Sequence, residues 1–155
     1  NKDIYLNLMD FKDKLIKYKK LLKNSNDKNT NLRNDIEKVL NFDIWNHRIQ
    51  SVQAHGDFAP WNIKYDYSSN RLIVFDWEDY IASYLPFYDL FFFKLAVKNI
   101  FNKKVNFDKN RYIDRLRENK YFIQDEYVDE IYLISEIFAK IYFKFYRRLK
   151  HLKNL

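Results

Sequence analysis

The chain has 155 residues, 47% of them hydrophobic and 19% aromatic, which suits one domain with a real core and excludes a disordered chain. It has no cysteine, which excludes a disulfide framework and a thiolate centre and fits a reducing, cytoplasmic compartment. The net charge is +7, yet the lysines are spread along the chain and no basic run carries a nucleic-acid motif, so a Lys-rich surface is expected and a nucleic-acid partner is not.

Ile4, Leu8, Phe11, Leu15, Tyr18 and Leu22 recur at three- and four-residue steps and predict a helix over 3–23. The polar run 23–30 reads as a loop. A second helix is expected over about 31–45, with Leu32, Ile36, Val39 and Leu40 inward. The pattern then changes. Residues 51–54 suit a short strand leading into His55. Residues 62–65 and 72–75 are β-prone, and the turn-rich stretch Asp66-Tyr-Ser-Ser-Asn70 between them predicts a hairpin. Residues 87–98 are apolar nearly all round, as in a buried helix. A weaker helix is expected over 108–118. A long one follows over 125–148, with Tyr127, Ile131, Ile134, Phe138, Ile141, Tyr142 and Phe145 inward. The expected class is α+β, mostly α, in a single domain over 1–155. The apolar run 84–93 is too short to span a bilayer and contains Asp89, so no transmembrane segment is expected, and no signal peptide is visible.

The chain's one glycine, one of its two prolines and a set of acids all fall in AHGDFAPWNIKYDYSSNRLIVFDWED, residues 54–79. Asp57 lies in a loop that Gly56 and Pro60 interrupt. Asn62 stands where the first strand of the hairpin begins, and Asp76 where the second ends. A hairpin returns the chain, so Asn62 and Asp76 are expected to be neighbours. A carboxylate and an amide oxygen converging there suit a hard cation such as Mg²⁺, which keeps waters and borrows phosphate oxygens. Asp57 could then take a proton from a hydroxyl. This layout meets the needs of phosphoryl transfer: positioning, metal-held charge and one base. Asp and Asn also serve as turn and cap residues, so each alone says little and the joint pattern says more.

His55-Gly56-Asp57-Phe58-Ala59-Pro60-Trp61-Asn62 resembles the H-G-D-x-x-x-x-N catalytic loop of the aminoglycoside phosphotransferase and choline kinase superfamily, a small-molecule counterpart of the protein-kinase catalytic loop. Ile73-Val74-Phe75-Asp76-Trp77-Glu78 is similar to that family's apolar strand ending in I-D-W-E or I-D-F-E, and Pro86-Phe87-Tyr88-Asp89-Leu90 to its P-x-x-D-L element opening a helix. The three motifs occur in the family's order and span about 50–95. The resemblance implies a protein-kinase-like C-terminal lobe, with helices around a small catalytic hairpin. It implies ATP or GTP as co-substrate and Mg²⁺ as cofactor. Asp57 would orient or deprotonate the acceptor hydroxyl, and Asn62 and Asp76 would ligate the nucleotide-bound Mg²⁺. His55 would brace the loop, and Asp89 would cap its helix or tie the loop down. Glu78 and Tyr80 are possible substrate contacts, while Trp61 and Trp77 are expected to pack the loop.

No strand-rich lobe with a phosphate-covering loop and a paired Lys and Glu is legible before residue 50. The expectation is therefore a C-terminal lobe only, either part of a longer parent or a domain that lost its nucleotide lobe, with little or no activity by itself. The acceptor class implied is a hydroxyl of a sugar, a choline-like amino alcohol or an aminoglycoside. The alternative expectation is a non-catalytic kinase-like remnant acting as a binding or regulatory module.

Overall fold

The structure, a computed structural model, describes residues 5–24, 30–118 and 125–153. The chain enters as a short strand, β1 (Tyr5–Asn7), rather than as the start of a helix. The Asn7 side-chain oxygen accepts the Met9 N–H at 3.1 Å, which caps and starts α1 (Leu8–Asn24). The helix expected from residue 3 thus begins at Leu8, and residues 3 and 4 lie outside the described residues.

The second helix, α2 (Thr30–Leu40), stops five residues before the expected end. The Val39 carbonyl accepts both the Phe42 N–H at 3.1 Å and the Trp45 indole N–H at 2.9 Å. Those bonds tighten the chain into a 3₁₀ turn over Asp43–Asn46 and bring Trp45 into the core. Of the loop expected over 23–30, residues 25–29 lie outside the described residues, and Lys23 and Asn24 belong to α1.

Three small antiparallel pairs follow among the described residues. Strand β2 (Arg48–Gln50) returns beside β1, with Leu6 opposite Ile49. Strand β3 (Val52–Ala54) pairs with β6 (Ile81–Tyr84). Strands β4 (Ile63–Asp66) and β5 (Arg71–Val74) form the expected hairpin, Ile63 opposite Val74 and Asp66 opposite Arg71. Its turn is held by Asp66, whose carboxylate accepts Ser68 N–H at 3.0 Å and the hydroxyls of Ser68 and Ser69, and by Asn70 in a left-handed conformation. Those donors hold the Asp66 carboxyl below its usual pKa range, Ser69 most of all.

The helices α3 (Tyr88–Phe101), α4 (Lys109–Glu118) and α5 (Val128–Lys153) complete the chain. Ile131, Ile134, Phe138 and Ile141 are the buried face of α5, and Tyr127 and Tyr142 are half-buried beside them. Phe145 falls among the residues whose side chains are not described. The core unites these with Leu8, Phe11 and Leu15 of α1, Ile36 and Val39 of α2, and Phe91 and Phe92 of α3. Rings meet there edge to face: Phe11 lies 5.4 Å from Tyr84 and 5.2 Å from Phe138. Buried Ser135 of α5 presents its hydroxyl to the carbonyls of Pro86 and Ile131, fastening α5 to the segment that precedes α3. The molecule is therefore α+β and mostly helical, and all its described strands but β1 fall within 48–84. No helix among the described residues is long and apolar enough to cross a membrane.

Candidate active site

Residues 55–62 run between β3 and β4 as an irregular loop, yet His55, Gly56, Asp57 and Asn62 are all buried. A buried loop must satisfy its backbone polar groups. Here one side chain does so for two N–H groups in a row. Asp89, in the first turn of α3, accepts the His55 N–H at 2.6 Å on one carboxylate oxygen and the Gly56 N–H at 3.1 Å on the other. Of the two roles open to it in the sequence, Asp89 takes that of tying the loop down. Burial pushes its carboxyl above the usual pKa range, and the two N–H donors oppose that shift only in part.

Phe87, just before α3, is a non-glycine residue at φ 70°, and this left-handed step turns the chain so that Asp89 sits beneath the loop. Gly56 is required for a related reason. Its φ is +87°, and a Cβ there would collide with the Asp79 backbone carbonyl. The loop and the turn after the hairpin touch backbone to backbone at this point.

Asn62 joins the parts. Its Nδ2 donates to the Asp57 carbonyl at 2.9 Å and to the Asp57 carboxylate at 3.2 Å. Its own carbonyl accepts the Phe75 N–H at 3.1 Å, extending the hairpin ladder by one step toward Asp76. The hairpin thus brings the Asn62 backbone beside Phe75, the residue next to Asp76, as the strand pairing predicts. Asp57 and Asn62 are only 3% and 2% exposed, whereas Asp76 lies on the open surface.

Asp76 itself is held at φ 63°, ψ 59° as β5 gives way to a 3₁₀ turn over Trp77–Asp79. Asp is among the few residue types that tolerate this region, and left-handed non-glycine residues gather at functional turns. His55 braces the same place. The Phe75 carbonyl can only accept, so His55 donates from Nε2, at 2.9 Å, which fixes the proton on that nitrogen. Its ring lies 4.5 Å from that of Trp77. Glu78 and Tyr80 are exposed beside them, and the Tyr80 ring is 6.2 Å from Trp77.

Trp61 does more than pack. Its indole N–H reaches the Asp57 carboxylate at 3.4 Å, a long bond on the same oxygen that Asn62 approaches. The signal available in the sequence was its spacing, four residues after Asp57. Phe75 contributes through both backbone polar groups, which no side-chain pattern announces. Among the described residues no group of three or more His, Cys, Asp or Glu could hold a metal ion, so the acids here do not form a self-sufficient metal cage.

Compared with protein-family models, with curated proteins and with solved structures, the chain gives no match. The chemistry must be read from the geometry. A buried carboxylate held by two side-chain N–H donors is oriented in advance, and an exposed carboxylate stands at the adjoining turn. The first suits proton acceptance from a positioned hydroxyl, the second a charged ligand arriving from solvent.

Proposed function

We propose that this chain is the catalytic, acceptor-side lobe of a small-molecule kinase that transfers the γ-phosphate of ATP or GTP to a hydroxyl. The observation that carries this reading is the Asp57–Asn62–Phe75 linkage. One asparagine orients a buried carboxylate through its side chain and holds the end of the hairpin that bears Asp76 through its backbone. In this reading Asp57 accepts the hydroxyl proton as the oxygen attacks phosphorus. Trp61 and Asn62 keep the carboxylate aimed, and His55 and Asp89 keep the loop still.

Mg²⁺ fits the donor set as a nucleotide-borne ion. Both side-chain bonds of Asn62 to Asp57 use Nδ2, so its amide oxygen is not consumed by them, and Asp76 adds an exposed carboxylate. Two protein oxygens are few for a dedicated cage and sufficient for an ion that brings phosphate oxygens and waters. Asn62 and Asp76 would hold it, and it would neutralise charge on the transferring phosphate.

The hairpin supports the lobe assignment. Leu72 on one face of it and Ile73 and Phe75 on the other are exposed, as are Trp77 and Tyr80 in the turn that follows. Large apolar side chains left in water at one place mark a contact face, and a separate nucleotide-binding lobe packed here would cover the hairpin and face Asp76. The acceptor in this reading is a sugar or a choline-like amino alcohol, with an aminoglycoside as the third class. The test is Mg²⁺- and ATP-dependent phosphate transfer by the full-length protein to a panel of these alcohols. Asp57→Asn should lower turnover by about 10²–10⁴-fold with folding unchanged. Failure of the full-length protein to bind Mg·ATP would instead favour the binding-module reading.

A further inference from the structure

The end of α3 remote from Asp89 has features that phosphoryl transfer does not use. Between Asp89 and Asp108 the chain has no acidic residue, no arginine and four lysines: Lys94, Lys98, Lys103 and Lys104. Lys94, Lys98 and Phe101 follow at four- and three-residue steps and share one face of α3. Asn102 then adopts the left-handed conformation, φ 49°, and ends the helix. The turn folds Lys103, Lys104 and Val105 back to line one cleft with Lys94 and Lys98, a space of about 450 Å³. Phe91 and Leu95 supply apolar wall to it. Its one acid, Glu136, is already paired with Lys140 at 3.0 Å, and Lys140 also reaches Asp35.

Beside these cations two large apolar side chains face water, Ile100 at 44% and Phe101 at 55% exposure. A cation cluster around projecting apolar residues is the pattern of a protein that rests on an anionic bilayer. Lysines meet lipid phosphates, and the ring and the branched side chain enter at headgroup depth. The absence of arginine from this stretch argues against nucleic acid, where the bidentate guanidinium is preferred. The apolar wall of the cleft suits an acyl chain or glycerol backbone better than a bare phosphodiester chain.

We propose that this end of α3 is a docking surface for an anionic lipid bilayer, with Ile100 and Phe101 inserted and Lys98, Lys103 and Lys104 on lipid phosphates. The proposal is independent of the kinase reading. Helix α3 spans Tyr88–Phe101, about 20 Å at the helical rise, so the loop tied to Asp89 would stand about that far above the lipid.

Co-sedimentation of the full chain with vesicles tests it. Vesicles of phosphatidylcholine with about one-third phosphatidylglycerol should bind the protein, phosphatidylcholine alone should not, and high salt should release it. Replacing Lys98, Lys103 and Lys104 together by Gln should weaken partitioning about 100-fold, while the triple Lys→Arg variant keeps it. Phe101→Ser should weaken it with the salt dependence retained. These variants lie on the surface, and circular dichroism checks that they fold. Equal binding to neutral and anionic vesicles would overturn the proposal. So would indifference to the Gln variants, full competition by soluble glycerol phosphate, or binding to duplex DNA without binding to vesicles.

Discussion

The loop over 55–62 and the turn over 76–80 lie side by side and are built in opposite ways. The loop has almost no regular structure, yet several of its buried polar groups are tied one by one: two N–H groups by Asp89, one oxygen of the Asp57 carboxylate by Asn62 and Trp61. The turn follows a regular strand after one residue, yet all its side chains but that of Asp79 are exposed and Asp76 sits in a sparsely populated backbone region. Secondary structure is thus a poor guide to rigidity here. The Asp57 carboxylate is held by its neighbours, and the Asp76 carboxylate stands in water, where a charged ligand can reach it. Preorganising the first while leaving the second accessible is what a reaction needs when one group moves a proton and the other receives a cation.

Breaking the loop should cost most. Gly56→Ala meets the Asp79 carbonyl and cannot easily hold φ +87°, so it should lose about 3 kcal/mol or more in denaturant unfolding. A loss under about 1 kcal/mol would mean that loop and turn separate freely. Asp89→Ala leaves two buried N–H groups without their acceptor and should cost about 2 kcal/mol.

The pH dependence of stability sharpens the same point. The folded pKa of Asp89 lies above its unfolded value. Folded protein therefore binds the extra proton between the two, and this contribution to stability is full below the unfolded pKa and declines as pH rises through the folded one. Asp89→Asn should remove that decline, which unfolding midpoints across the acid range would reveal.

The turn should respond in the other direction. Asp76→Gly relieves the left-handed strain and should raise stability by up to about 1 kcal/mol, while abolishing Mg·ATP binding measured by calorimetry on the full-length protein. A large loss of stability would show that Asp76 holds the turn together. Smallest of all, Trp77→Ala removes an exposed ring from His55 and Tyr80 and a solvent-exposed indole N–H bond to the Val74 carbonyl, and should cost about 0.5 kcal/mol of stability by thermal melt.

The helical stripes of α1, α2 and α5 were legible because a period of 3.6 residues is a local property. The hairpin was legible from its turn residues. Strands β1, β2 and β6 were not, because three- and four-residue strands have too little alternation to read and draw their partners from far along the chain: Tyr5 pairs with Gln50, and Val52 with Tyr84. In the site, the neighbourhood of Asn62 and the end of β5 followed from strand pairing. The Asp89 contact could be anticipated only as one of two roles, since His55 is 34 residues away. The second role of Trp61 and the backbone role of Phe75 depend on distances that spacing alone does not convey.

Phe75 has one further consequence. Its N–H is taken by Asn62 and its carbonyl by His55, so both ends of the loop are registered against the backbone of a single residue, while its ring is exposed. A substitution profile of stability should find position 75 permissive to any β-forming side chain and closed to proline. For the fold of this chain the information at this position is carried by the main chain, which leaves the ring available to the contact face.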